Sequence, residues 1–149
     1  MIGLYDLPLQ LIIQLILALV LGGMIGMERE IKGKEAGLQT YSIVSLGSCL
    51  FTLVSIDLLG NYNVDPSRVI QAVAMGIGFI GAGVIFQRPD KIEGLTTAAG
   101  LWAAAGVGMA VGFGLYFLAA FTSLLLVIIF SGIGSFEKVF IEKKLKKKR

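Results

Sequence analysis

The chain has 149 residues, of which 56% are hydrophobic and only 15% are charged, and its formal net charge is +3. A soluble domain carries about 25% charged residues, so this composition, with a mean hydropathy of +0.84, excludes an ordinary soluble protein and indicates one that lies in lipid. Histidine is absent and Cys49 is the one cysteine, which excludes histidine-based catalytic pairs, an internal disulfide framework and a zinc site. We therefore expect that the protein is not an enzyme and that it binds no cofactor.

Five apolar segments follow one another along the chain, and crossing a bilayer takes roughly 20 predominantly apolar residues. The first follows Asp6 and begins at Pro8, and Asp65-Pro66 precedes the third, so each starts with an acidic cap and a proline. Only Gly112-Phe113-Gly114 separates the fourth from the fifth, and these two could instead form one hairpin that does not cross. The predicted fold is an all-α, polytopic membrane bundle of about five helices, at 8–27, 38–59, 68–86, 96–111 and 115–136, in one domain (1–136) followed by a basic tail (137–149).

The lysines and arginines are distributed unevenly between the two sides of this predicted bundle. The first connection carries Arg29, Lys32 and Lys34, the third carries Arg88 and Lys91, and the tail holds most of the others. With five spans, all but one of the 13 lysines and arginines fall on one side. By the positive-inside rule that side is cytoplasmic, which predicts an amino terminus outside and a cytoplasmic carboxyl terminus.

This orientation can be tested with reporters at two positions. A reporter fused after Arg149 is expected to lie in the cytoplasm, and one inserted at Asn61 is expected to lie outside, because an odd number of spans separates them. Alkaline phosphatase and green fluorescent protein report the two compartments. Two reporters on the same side would contradict the five-span arrangement.

The basic tail ends in "EKKLKKKR". Clustered lysines beside a membrane helix attract anionic lipid, at about 1 kcal/mol per charge. The tail could also serve only as a topological anchor. Nucleic acid is not an expected partner, because no folded basic surface accompanies these charges.

The third segment contains "GIGFIGAGVIF" at 76–86, which matches a dinucleotide-binding fingerprint. That fingerprint works between a strand and a helix, and an open strand inside a bilayer would leave backbone groups unpaired. Small residues instead let membrane helices pack closely, although they could also let helices bend or slide. The glycines predicted to pack helices are Gly22, Gly26, Gly76, Gly78, Gly81, Gly83, Gly100 and Gly108.

The second segment carries hydroxyl groups at helical spacing, which places them along one face. We call this set the hydroxyl face, and it comprises Tyr41, Ser45, Ser48, Thr52 and Ser55. These side chains could form hydrogen bonds to neighbouring helices. Alternatively, Ser45, Ser48 and Thr52 could line a polar path for an ion together with Gln14 and Gln71. Transporters usually hold a buried acid at mid-depth, and none is evident here, but a channel lined by hydroxyls and carbonyls does not need one.

Two further motifs flank the glycine-rich stretch: "MEREIKGKEAGLQT" at 27–40 and "GLTTAAGLW" at 94–102. In this order, the three motifs resemble those of the MgtC/SapB family of bacterial inner-membrane proteins, over roughly 22–112. Gln39 stands where an arginine is common in the family, so this chain lacks that charge. Longer members carry a soluble cytoplasmic domain after the last span, and we expect its activity to be absent here.

The resemblance implies a multi-pass protein of the bacterial inner membrane. The family is linked to growth in low magnesium and to survival inside host cells. Its best-known members resemble regulators of other membrane proteins, including the F-type ATP synthase, and no catalytic residue carries over. We therefore expect a non-enzymatic protein of magnesium or membrane-energy homeostasis, in a homo-oligomer that is most simply a dimer. The alternative is a small channel or transporter for magnesium or another cation.

Polar residues of the family motifs fall at the predicted cytoplasmic ends of the first, second and fourth spans. We call this set the inner face, and it comprises Glu28, Arg29, Glu30, Lys34, Gly37, Thr40, Thr96 and Thr97. Its charges could form an exposed salt-bridge cluster at the membrane interface that only fixes helix ends, or Glu28 or Glu30 could present oxygens to magnesium, which takes one or two carboxylates. Thr96 and Thr97 suit the capping of a helix start. We predict that the inner face is the functional surface.

Overall fold

A computed structural model describes residues 7–62, 65 and 67–133, and these residues form five α-helices and one short hairpin. Between α3 and α4, strands β1 (Phe86–Gln87) and β2 (Ile92–Glu93) pair antiparallel. A π-helical turn, Ile129–Ile133, continues the last helix. The helices are α1 (Leu7–Ile31), α2 (Leu38–Tyr62), α3 (Ser67–Gly83), α4 (Leu95–Gly112) and α5 (Tyr116–Ile128).

Within the described part of the chain, three helices are long and apolar enough to cross a membrane: α1, α2 and α4. Helix α3 and the α5 segment are also apolar but shorter. Long apolar runs form helices because a helix satisfies its own backbone hydrogen bonds, which lipid cannot do. The predicted all-α membrane fold is confirmed, the orientation stays a prediction, and the basic tail lies outside the described residues.

The third predicted span is too long at its carboxyl end, because α3 ends at Gly83 and Phe86 already belongs to β1. The chain enters α4 through Gly94, whose φ of +86° lies in the left-handed region that favours glycine. A Cβ at Gly94 would also collide with the carbonyl oxygen of Val84. A glycine is therefore required where the end of α3 meets the start of α4.

Helix α4 lies at the centre of the bundle and contacts α1, α2, α3 and α5. Its buried side chains include Leu101, Val107 and Val111, while its glycines and alanines keep it narrow. Helix α3 packs mainly on α4 and only slightly on α2, which leaves a largely apolar groove of about 610 Å³ between α2 and α3. Helix α4 turns into α5 through Gly114, at a φ of +77°.

Candidate functional site

The hydroxyl face of α2 lies against α4 at Ser45 and Thr52. All five of its side chains are buried. A Cβ at Gly108 would collide with the carbonyl oxygen of Ser45, and a Cβ at Gly112 would lie 2.6 Å from the Thr52 Cβ. The glycines of α4 thus bring the two backbones into direct contact, as small residues do in membrane helix pairs.

Glycines of α1 and α4 lie at further close contacts between elements. A Cβ at Gly22 would lie 2.6 Å from the Ser45 Cβ, and one at Gly26 would lie 2.7 Å from the carbonyl oxygen of Gly37. A Cβ at Gly100 would lie 2.7 Å from the Phe130 ring. Four glycines named from the sequence, Gly22, Gly26, Gly100 and Gly108, therefore lie at close contacts between elements.

The glycines of α3 behave differently. A Cβ at Gly76, Gly78 or Gly83 would meet nothing within 4 Å, and one at Gly81 would lie at an ordinary 3.5 Å from the Ala98 Cβ. The prediction that the first three pack helices is wrong within this single chain. The reason is that α3 contacts α4 through the face that carries Ile77 and Gly81, which are buried. The other three glycines lie on the remaining surface of α3 and are exposed.

The residues predicted to line a polar path lie in different surroundings. Gln14 is buried, but its Nε2 donates to the carbonyl oxygen of Val111 at 3.0 Å. Gln71 is exposed on α3, so it does not face the interior as predicted. Ser48 and Thr52 each donate at 2.8 Å to a carbonyl oxygen one turn earlier in α2, which satisfies their hydroxyl protons locally.

The inner face is built around Arg29, whose side chain is only 5% exposed. Its Nη2 donates to Thr97 Oγ1 at 3.1 Å, and its guanidinium carbon lies 4.4 Å from the centre of the Phe130 ring. Its Nη1 lies 3.9 Å from Glu28 Oε2. We expected an exposed ion pair, so the burial of Arg29 is a correction: α4 and the end of α5 cover the end of α1.

Thr97 joins Arg29 to a residue that the sequence analysis did not single out. Thr97 Oγ1 donates to Glu35 Oε2 at 2.8 Å, and the Thr97 carbonyl oxygen accepts from the Tyr41 hydroxyl at 3.3 Å. The Glu35 backbone amide, followed by the Thr97 hydroxyl, holds the pKa of the Glu35 carboxyl below its ordinary value. Thr97 is therefore a buried junction, and it does not cap α4, which begins at Leu95 after the N-cap residue Gly94 and has no side-chain cap.

Lys32 provides a second link to the end of α5. Its Nζ lies 2.7 Å from Glu28 Oε1 and donates to the carbonyl oxygen of Phe130 at 2.5 Å. Glu28 thus faces Arg29 and Lys32, an arrangement that favours an ion pair over a magnesium ion. These contacts connect six residues, which we call the inner cluster: Glu28, Arg29, Lys32, Glu35, Thr97 and Phe130.

The remaining residues of the inner face lie at its edge. Glu30 Oε2 accepts from the Leu38 amide at 2.8 Å and therefore caps the start of α2. A Cβ at Gly37 would lie 3.0 Å from the Glu30 Cβ, so a larger residue at this position would crowd the cap. Lys34 and Thr96 are exposed, and Thr40 is half-buried.

Sequence reasoning missed Lys32, Glu35 and Phe130 as members of this cluster. Glu35 lies within the first family motif, but its neighbour Thr97 is 62 positions away. Phe130 follows the buried Ala119 and Ser123 at helical spacing, which is the one signal that could have indicated an inward ring. In the described residues, no three carboxylate or thiol side chains lie close enough to hold a metal ion.

Comparison with known proteins agrees with the three motifs. The model of the MgtC family matches residues 15–139. The chain is 44% identical over 126 residues to "Putative magnesium transporter YhiD" of Escherichia coli K12, which covers 80% of this chain and 59% of that protein. It is 42% identical over 126 residues to "Protein SapB" of Bacillus subtilis (80% and 54%), and 39% identical over 112 residues to "Protein MgtC" of Brucella abortus strain 2308 (75% and 46%).

The chain therefore spans about half to three fifths of the length of these relatives. No solved structure matches it. The resemblance seen in the three motifs is confirmed by the match of the family over most of the chain. This membrane protein, with its buried arginine and its glycine-packed helices, belongs to the MgtC family.

Proposed function

We propose that this chain is a non-enzymatic membrane protein of magnesium homeostasis, and that it acts by docking another membrane protein, such as the ATP synthase, at its inner face. The magnesium assignment is supported by the name of its relative in Escherichia coli, a putative magnesium transporter. It acts as a homo-oligomer, most simply a dimer. Anionic lipid binds its basic tail.

One observation carries the choice of a docking role over transport. The hydroxyl face is in backbone contact with α4 at Gly108, whereas Lys34 and Thr96 of the inner face are exposed. A surface of this kind suits recognition of a partner, since exposed charges guide specific association. Lys34 and Thr96 are the exposed groups that a partner would meet there.

A transport role is the second candidate. Two hydroxyl oxygens of α2, Ser45 Oγ and Ser55 Oγ, are buried without a hydrogen-bond partner in the described residues. Unpaired buried hydroxyls are costly, and a passing cation would supply them with a partner. Ser55 also lines the groove between α2 and α3.

Complementation of cells that need this protein for growth in low magnesium tests the docking role. We expect Lys34→Glu to abolish rescue, because it reverses an exposed charge at the docking surface. Arg68→Glu makes the same charge change at an exposed position of α3, at the opposite end of the bundle, and should rescue fully. Membrane abundance is matched by immunoblot, and full rescue by Lys34→Glu would contradict the proposal.

Flux measurements on purified protein in liposomes separate the two candidates. We expect no magnesium or monovalent cation flux above that of empty liposomes. Flux that Ser45→Ala and Ser55→Ala both reduce would instead establish the transport role.

A further inference from the structure

Phe130, which lies just after α5, is more deeply buried than the two residues before it. Phe130 is buried at 7% exposure, although the preceding Ile128 and Ile129 are 53% and 44% exposed. Its ring lies between the Arg29 guanidinium and Gly100 of α4. It also belongs to a π-helical turn, a rare structure that is frequent at functional sites.

A continuous set of contacts leads from the surface of the bundle to this ring. The exposed Glu35 carboxylate accepts the Thr97 hydroxyl proton at 2.8 Å, and the Thr97 oxygen accepts from Arg29 at 3.1 Å. Arg29 then lies on Phe130 at 4.4 Å. Packed side chains and hydrogen bonds of this kind can carry coupling between two places, provided that the element at the end has two arrangements.

We propose that the inner cluster is a latch, in which the state of the Glu35 carboxylate sets the position of Phe130 and of the π-helical turn that contains it. When a cationic group engages Glu35, Thr97 loses its acceptor and Arg29 loses its alignment over the ring. The released Phe130 lets the π-helical turn move. This coupling goes beyond the proposed function and holds for a docked protein or a passing ion alike.

Lys32 stabilises the closed form of the latch. Its Nζ donates to the Phe130 carbonyl oxygen, and this ammonium group is held in turn by Glu28. These contacts act on the backbone of Phe130, whereas Arg29 acts on its ring. Arg29 lies in the last turn of α1 and Lys32 directly follows the helix, so a shift at the end of α1 reaches both contacts together.

Spin-label distances measure the latch directly in the full chain. Labels at Ile43→Cys on α2 and Ile129→Cys at the start of the π-helical turn, in a Cys49→Ala background, are placed on exposed positions. Double electron–electron resonance in nanodiscs, on labelled protein diluted with unlabelled protein, should give one narrow distance distribution for this parent. Glu35→Ala removes the acceptor of the Thr97 hydroxyl proton and should add a population at a shifted distance, although it changes only an exposed side chain.

Controls and a double variant make the result specific. Phe130→Leu should produce the same shifted population, and Glu35→Ala with Phe130→Leu should add nothing further, since coupled changes are not additive. Phe79→Leu, at a ring that is 86% exposed, and Glu93→Ala, at an ion-paired carboxylate of β2, should leave the distribution unchanged. An unaltered distribution in Glu35→Ala would overturn the latch, and this result does not depend on whether Phe130→Leu folds.

Discussion

Gly108→Ala is expected to abolish the stable bundle, whereas Gly106→Ala, two residues earlier in the same helix, is expected to preserve it. A Cβ at Gly108 would collide with the Ser45 carbonyl oxygen and lie 3.0 Å from the Ser45 Cα, whereas a Cβ at Gly106 meets nothing within 4 Å. The colliding atoms belong to backbone, so they cannot move aside as the tip of a flexible side chain would.

The two substitutions should differ in sign as well as in size. Overpacking a core costs about 1–3 kcal/mol, and sometimes more, and Gly108→Ala should reach at least the upper part of that range. Alanine in a helix interior is favoured over glycine by roughly 0.5–1 kcal/mol, so Gly106→Ala should be neutral or stabilising. Thermal unfolding in detergent, together with purified yield, measures both.

Gly78→Leu extends the same experiment to α3. The sequence pattern predicts that this change is disruptive, but the structure places Gly78 on an exposed face with no neighbour within 4 Å. Gly78→Leu should therefore keep the unfolding temperature of the parent. Equal stability of Gly78→Leu and Gly108→Leu would contradict the backbone contact between α2 and α4.

Arg29→Gln is expected to have the second large effect, a loss of about 3–5 kcal/mol, which is typical when one partner of a buried charged network is removed. The substitution leaves Glu28 with Lys32 alone, deprives Thr97 of its donor and removes the cation from the Phe130 ring. The loss should appear as a lower unfolding temperature and lower membrane abundance.

Lys34→Gln is the matched control. It also removes a positive charge, but Lys34 lies five residues after Arg29 and is exposed. A surface substitution of this kind usually changes stability by no more than about 0.5 kcal/mol. Parent-like stability of both variants would mean that Arg29 is solvated and that the inner cluster does not hold α1, α4 and α5 together.

The sequence alone determined the helices of this protein and the family to which it belongs. A helix in lipid satisfies its own backbone groups, so an apolar run such as 96–111 is sufficient to place α4 within one residue at each end. The spacing of Ser45, Ser48 and Thr52 likewise requires a common face, and that face is buried. These properties depend on neighbours along the chain, which a single sequence contains.

Only the tertiary structure decided which of these residues meet. Gly78 and Gly108 look alike in sequence, yet one is exposed and the other touches a carbonyl group, because contact depends on how far the neighbouring helix has approached. Arg29 looked like an interfacial charge until Thr97 and Phe130, from segments 68 and about 100 positions away, covered it. Burial of a charge is set by packing between distant segments, and local patterns do not carry that information.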